Sequence, residues 1–426
     1  MKKIIIKGLK EEVYYEKLDS GLDVYLWKNE KSNSFFASLN VKYGSIHTEF
    51  KLKGDKKTYK VPNGIAHFLE HVKFNTKDGT AFDLFDSLGS DVNAFTTFEY
   101  TSYHITGTND VTENLNKLLD YVYTPYFKKQ LINQEKGIIL EEAKSEFDNP
   151  GSCLFYKRLE DTLHYDKRKN YIVGSLEEIK NISVKDVELI YDTFYHPQNM
   201  FMVVTGNIDI YETMACIKEN MSQKEFQKYR YPEIKSQKEP LKVVKEYDEF
   251  TSNTQIPIVS LVAKISQKKV GIDVKSNILL SMILKSNFGI SSILKNELLD
   301  EKLVMGMDFS RSAVNDHILI TINASTKYPE EVISRIKEKL QHLTISKEDF
   351  ERKKRAAIAN LVFMYDDAEE VNMTIQDDII YSKDHKVLDN VKGIYENLTY
   401  EDALELLKKI DTSNLSIIVM KPKKEA

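Results

Sequence analysis

The sequence predicts an α+β fold of two related halves, each a mixed sheet with helices packed on one face, joined by a charged linker. Three observations predict it. A chain of 426 residues is too long for one ordinary core and suits two to three domains. Residues 219–245 are charged, carry Pro232 and Pro240 and show little periodicity, as a linker does. The stretches either side of that break share an element order. Ser183 through Asn199 to Val203-Val204 reads as helix, turn and strand; Thr399 through Asn414 to Ile418-Val419 repeats it with one residue fewer in the turn. The boundaries expected are 1–218 for the first half, 219–245 for the linker and 246–426 for the second half.

The elements follow from local pattern. Val13 to Lys28 reads as two strands around a Ser20-Gly21 turn, and Ser38 to Gly44 continues the strand pattern. Asn63-Gly64 opens a helix with Ile65, Phe68, Leu69 and Val72 apolar at i, i+3, i+4 and i+7. A helix from Ala81 stops before Gly89, and 91–106 is rich in strand formers. Helices are expected over Val111 to Tyr123, over Ile132 to Phe147 with an end at Asn149-Pro150-Gly151, and over Val184 to Phe194. Met200 to Thr205 reads as a buried strand.

Composition narrows the function. A net charge of −5 with Lys and Arg spread along the chain leaves no nucleic-acid footprint. Cys153 and Cys216 are too few for a disulfide scaffold or a cysteine metal cluster and read as free, buried thiols. Met1-Lys2-Lys3-Ile4 resembles a leader start, but Lys7, Lys10, Glu11 and Glu12 cut the apolar run short. No segment reads as long and apolar enough to span a bilayer, so the expectation is a cytoplasmic protein without membrane or nucleic-acid partners.

The chemistry is concentrated in His67-Phe68-Leu69-Glu70-His71. Two histidines four apart on a helix lie on one face and can grip one metal ion, and Glu70 can reach a water held there. This is the H-x-x-E-H order of the inverzincins. With nine histidines in the chain, the full pattern arises by chance roughly once in a hundred. A catalytic zinc site takes three protein ligands and an open position. The run 135–146 offers four carboxylates; Glu135 and Glu142 are two turns apart and share a face, whereas Glu141 points about 100° away from Glu142. His47, His164, His196, His317, His342 and His385 lack such a context and read as structural or surface residues. Glu99, Tyr100, Tyr103 and His104 read as packing or pocket-wall residues.

With Gly64 to His71, Val92-Asn93-Ala94-Phe95-Thr96, Glu135 to Glu142 and Asn149-Pro150 occurring in that order, the chain resembles the pitrilysin/insulinase family of zinc peptidases. The likeness is to the smaller bacterial and mitochondrial-processing type. The resemblance implies one Zn²⁺ per chain held by His67, His71 and Glu142, with Glu70 as general base. It makes Glu135 a helper carboxylate that orients a ligand, and the register excludes Glu141, whose partner seven residues back would be Gln134. It also implies that Asn93, Ala94 and Phe95 hold a peptide as an added strand. The function implied is a zinc endopeptidase for short or unfolded peptides. The alternatives are a non-catalytic scaffold and a peptide-binding subunit.

One departure from the family pattern bears on partners. Catalytically complete relatives carry an arginine and, seven residues on, a tyrosine in the second half. Here those positions fall at or near Leu299 and at Met305 or Gly306; no arginine lies between Arg230 and Arg311, and no tyrosine between Tyr247 and Tyr328. The expectation is a homologous partner chain that supplies the pair in a heterodimer, with a homodimer as second choice.

Overall fold

The computed structural model describes residues 1–382 and 386–423, so His385 lies outside the described residues. Its chain forms two compact α+β units. The first has a seven-stranded mixed sheet in the order Lys2–Ile6, Glu11–Lys17, Asp23–Lys28, Met200–Gly206, Phe35–Val41, Thr101–Gly107, Asp91–Thr96. The second has a five-stranded sheet in the order Tyr247–Ser252, Leu415–Pro422, Ile258–Ser266, His317–Ser325, Gly306–Val314.

The two sheets are copies. Asp23–Lys28 pairs parallel with Met200–Gly206, as Tyr247–Ser252 does with Leu415–Pro422. The next three ladders are antiparallel in both sheets. The correspondence reaches single residues. Ser38 stands opposite Val203 and His104, and His104 opposite Asn93. In the second unit Ser260 stands opposite Ile418 and Asn323, and Asn323 opposite Asp308. The repeated helix is also real: Val184–Phe194 and Tyr400–Leu407 each start with a capping box, Ser183 with Asp186 and Thr399 with Asp402.

The expected boundaries differ from those observed. The first unit comprises Met1–Ala143, Tyr171–Lys235 and Asn360–Lys392; the second comprises Lys144–Asn170, Ser236–Ala359 and Gly393–Ala426. Asn149-Pro150-Gly151 does not only end a helix. Asn149 accepts from Ser152 N and Pro150 takes a first-turn position, so a new helix, Pro150–Thr162, starts there. It packs on the second sheet, while Ala368–Tyr381 packs on the Met200–Gly206 and Phe35–Val41 strands of the first. Ala368, Val371 and Ile375 join Trp27, Phe36 and Phe201 in the first core, and Asn372 and Gln376 bond Ser38 there. An apolar helix face is satisfied by any complementary sheet, and nothing in local sequence says which copy it will meet.

Residues 219–245 are not a plain linker either. The helix Ile210–Ser222 extends into them, and Pro232–Ile234 pairs with Glu49–Leu52 in the first unit. In the second unit, buried Glu239 accepts the backbone N–H groups of His164, Tyr165 and Asp166 and pairs with buried Lys264 at 2.8 Å. A charge in this stretch is therefore part of a core rather than a solvated spacer.

Two further expectations need correction. The stretch Val274–Asp300 is long and apolar enough to meet the length and composition of a membrane span. It breaks after Phe288 and resumes at Ile293, and Leu280, Ile283 and Leu284 are fully buried inside the unit, as in a core helix. Cys153 and Cys216 are free but half-buried.

Candidate metal centre

The H-x-x-E-H segment lies on the helix Ile65–Lys73, whose buried face carries Ile65, Ala66, Phe68, Leu69 and Val72. Gly64 starts the helix with φ +85°, and Gly174 at φ +83° meets it backbone to backbone. Asn63 donates from its side-chain and backbone nitrogens to Glu178 Oε1, at 2.5 and 3.2 Å. At the other end Lys73, 2% exposed, donates to the carbonyls of Tyr121 and Thr124 at 2.8 and 2.7 Å. Burial brings its ammonium down to about 7.

The facing helix, Lys129–Asp148, brings its carboxylates to the histidines. His67 Nε2 lies 3.5 Å from Glu142 Oε1, and His71 Nε2 lies 3.4 Å from Glu142 Oε2. One ligand atom from each of the three residues lies within 4.8 Å of the others. Two atoms bound about 2.1 Å from one ion at the tetrahedral angle stand about 3.4 Å apart, so these spacings fit zinc. The chemistry fits as well. Burial holds the His67 imidazole down at about 3, neutral with a lone pair to offer, and the Glu142 side chain is 44% exposed, leaving the mouth of the site accessible.

Glu135 takes a different place from Glu142. It lies 3.8 Å from His71 Nδ1, on the far side of the ring, and accepts from Asn75 Nδ2 at 3.1 Å. Burial favours its neutral form, but the neighbouring His71 ring and the Asn75 hydrogen bond outweigh that and hold the carboxyl below its ordinary value. His71 is raised: burial opposes its charge, and Glu135, Glu70 and Glu142 together overcome this.

Glu70 is 6% exposed, and burial lifts its carboxyl to about 7. The hydroxyl of Thr96 donates to its Oε2 at 3.0 Å. Thr96 ends the strand Asp91–Thr96, which carries Asn93, Ala94 and Phe95 and forms the edge of the first sheet. Asn93 is exposed, Ala94 and Phe95 are half-buried, and the Phe95 ring lies 5.7 Å from both Tyr100 and His104. His67, Glu70, His71, the edge strand, Glu135 and Glu142 all lie in the first unit. Sequence reasoning assigned no role to Thr96, Asn75 or Lys73; their partners are distant in sequence, and no spacing rule links them.

The other histidines have separate surroundings. His47 Nδ1 accepts from Gly44 N, His164 and His196 pair with backbone carbonyls, His317 is buried against Glu239 O, and His342 is exposed. His104 stacks on Phe36, and burial brings it down to about 4.

The model of the insulinase peptidases, family M16, matches residues 26–175, and that of the M16 inactive domain matches 181–357. The chain is 33% identical over 366 residues to the uncharacterized zinc protease YmfH of Bacillus subtilis, covering 83% of this chain and 85% of that one. It belongs to the M16 peptidase family. A shorter match, 29% over 163 residues, joins it to the beta subunit of the mitochondrial-processing peptidase of Blastocladiella emersonii. A crystal structure of an M16-like peptidase from Alicyclobacillus acidocaldarius superposes with a TM-score of 0.90 at 25% identity, over 97% of this chain and 99% of that one. Pitrilysin shares the fold with a TM-score of 0.75 at 18% identity, this chain spanning 46% of it. The M16 model containing His67, Glu70, His71, Glu135 and Glu142 is the peptidase model, and the inactive-domain model falls on the later residues.

Proposed function

We propose that this chain is the zinc-bearing subunit of a two-chain endopeptidase that cuts short or unfolded peptides. The observation that carries this reading is the convergence of His67, His71 and Glu142 beside a buried Glu70. When held by His67, His71 and Glu142, zinc supplies Lewis acidity and lowers the pKa of water. Glu70 would take the proton of the attacking water and return it to the leaving amine. Glu135 orients the His71 ring through Nδ1. Among the described residues, the outer edge of Asp91–Thr96 has no strand partner within its sheet, so an extended peptide can pair with it through main-chain hydrogen bonds. That mode requires a segment free of other structure, hence the preference for short or unfolded substrates.

The second subunit enters through what the later residues lack. Leu299 lies on the helix Ile293–Asp300, and Met305, 67% exposed, precedes the strand Gly306–Val314. Neither side chain can donate a hydrogen bond to a substrate carbonyl. The next arginine, Arg311, is committed to Ser281 and Asn277 at 2.7 and 3.2 Å. Each missing donor to a developing oxyanion costs about a hundred- to a thousand-fold in rate. The test is turnover of a quenched fluorescent peptide by the purified chain, alone and with a homologous chain encoded beside it. Slow cleavage alone and a sharp rise on mixing are expected. Full activity from the isolated chain, unchanged by any partner, would overturn the two-chain arrangement. The same missing pair favours a second reading, a peptide-binding subunit without turnover. Zinc at one equivalent per chain with no hydrolysis in either assay would select it.

A further inference from the structure

Beyond the metal ligands and the base, the site contains a contact between the edge strand and Glu70. We propose that Thr96 is a positioning residue of the reaction, fixing one oxygen of Glu70 so that the other faces the attacking water. The inference rests on the reading of Glu70 as the base. Thr96 Oγ1 donates to Glu70 Oε2 at 3.0 Å, leaving Oε1 for proton transfer. A buried carboxylate without such a bond would rotate about its last torsion, since terminal sp³–sp² torsions have broad wells. A charge-assisted bond narrows that freedom before substrate arrives.

The donor is itself held still by the turn that follows it. Thr97 Oγ1 accepts the backbone N–H groups of Glu99 and Tyr100 at 3.1 and 3.0 Å and donates to Tyr100 O at 3.0 Å. Thr97 N closes the same turn on Tyr100 O at 2.8 Å. From behind, Ser45 N and Ile46 N donate to the carbonyls of Thr97 and Phe98 at 3.0 and 3.2 Å. Gly44 permits that approach, because a Cβ there would lie 2.5 Å from Phe98 O and 2.6 Å from Thr97 O. Thr101, opposite Thr96 in the ladder, is anchored through its hydroxyl to Tyr43 O at 3.0 Å. So the strand that would take the peptide and the oxygen that would take the proton share one rigid bracket, with Thr96 at the join.

The test compares Thr96→Val, Thr96→Ser and Glu70→Gln in the full-length zinc-loaded chain, assayed together with the partner chain that gives full turnover. It measures single-turnover peptide cleavage together with KM, zinc content and the thermal midpoint. Thr96→Val keeps the shape and removes the donor; Thr96→Ser keeps the donor. A fall of about ten- to a hundred-fold in the chemical rate is expected for Thr96→Val, the range of one hydrogen bond to a charged group. KM, zinc content and melting should stay at wild-type values, and Thr96→Ser should recover most of the rate. Wild-type rates in Thr96→Val alongside an inactive Glu70→Gln would overturn the role of Thr96 while sparing the base. So would a loss that Thr96→Ser fails to recover or that tracks the thermal midpoint. Turnover surviving in Glu70→Gln would overturn the reading beneath it.

Discussion

Gly64 and Gly174 press backbone against backbone at the start of the helix that carries both histidines. A Cβ on Gly64 would lie 2.3 Å from Val173 O, and one on Gly174 would lie 2.6 Å from Asn63 O. Both residues also have positive φ, so glycine is required twice over. For Gly64→Ala the left-handed backbone alone costs about 1–2 kcal/mol, and the collision with the Val173 carbonyl adds to it. The variant should melt earlier and bind zinc more weakly than the native chain. Unchanged melting and metal content would show that the helix start is free to shift.

Substitutions at Glu70 and His67 test separately the proposed roles of base and metal ligand. Glu70→Gln keeps the size of the side chain and removes its proton affinity, so zinc should stay at one equivalent while turnover falls by about a hundred-fold or more. His67→Ala removes a donor and should empty the site as well as abolish turnover. Metal analysis beside a peptide assay checks both; loss of zinc in Glu70→Gln would mean that Glu70 is itself a ligand.

Metal removal should show in stability as well as activity. A ligand that binds only the folded chain stabilises it by about 4 kcal/mol when present at a thousand times its dissociation constant. Chelation should therefore lower the thermal midpoint, and added zinc should restore both the midpoint and cleavage. The native chain should respond and His67→Ala should not; an equal response from both would place the bound metal elsewhere.

A separate pH dependence belongs to Glu239 in the second unit. Burial pushes its carboxyl up, but the Lys264 ammonium and the His164 and Tyr165 backbone N–H groups prevail and hold it at about 2. An unfolded glutamate titrates near 4.3. The folded value is the lower one, so this stabilisation is fully present above about pH 4.3 and fades as pH falls towards 2. Denaturant melts of the native chain and Glu239→Gln should differ most near pH 6–7 and converge near pH 2–3. A gap that stays constant across that range would exclude the linkage.

Much of the first unit was legible in the sequence because its signals are local. Val111–Tyr123 and Val184–Phe194 have the bounds their periodicity predicts, and Gly64 marks the start of the motif helix. The seven-residue spacing of Glu135 and Glu142 places both on the face that meets the histidines. The length, the charged break and the repeated helix–turn–strand pattern predicted two related α+β halves, which the matching sheet orders show.

What the tertiary structure alone decided are relationships between residues far apart in the chain. The helix Pro150–Thr162 joins the second sheet and Ala368–Tyr381 the first, because a helix face needs only a complementary surface and sequence neighbours have no privileged claim to it. Glu239 looks like one more charge in a polar stretch until Lys264 and three backbone N–H groups surround it. Thr96 reads as a strand former, and only folding brings its hydroxyl to Glu70, 26 residues earlier. Periodicity reports which face of an element is apolar, so the elements and the motif were determined by the sequence itself. Which groups meet across space depends on packing, where each hydrogen bond is set by ångström-scale distances that no pattern along the chain encodes.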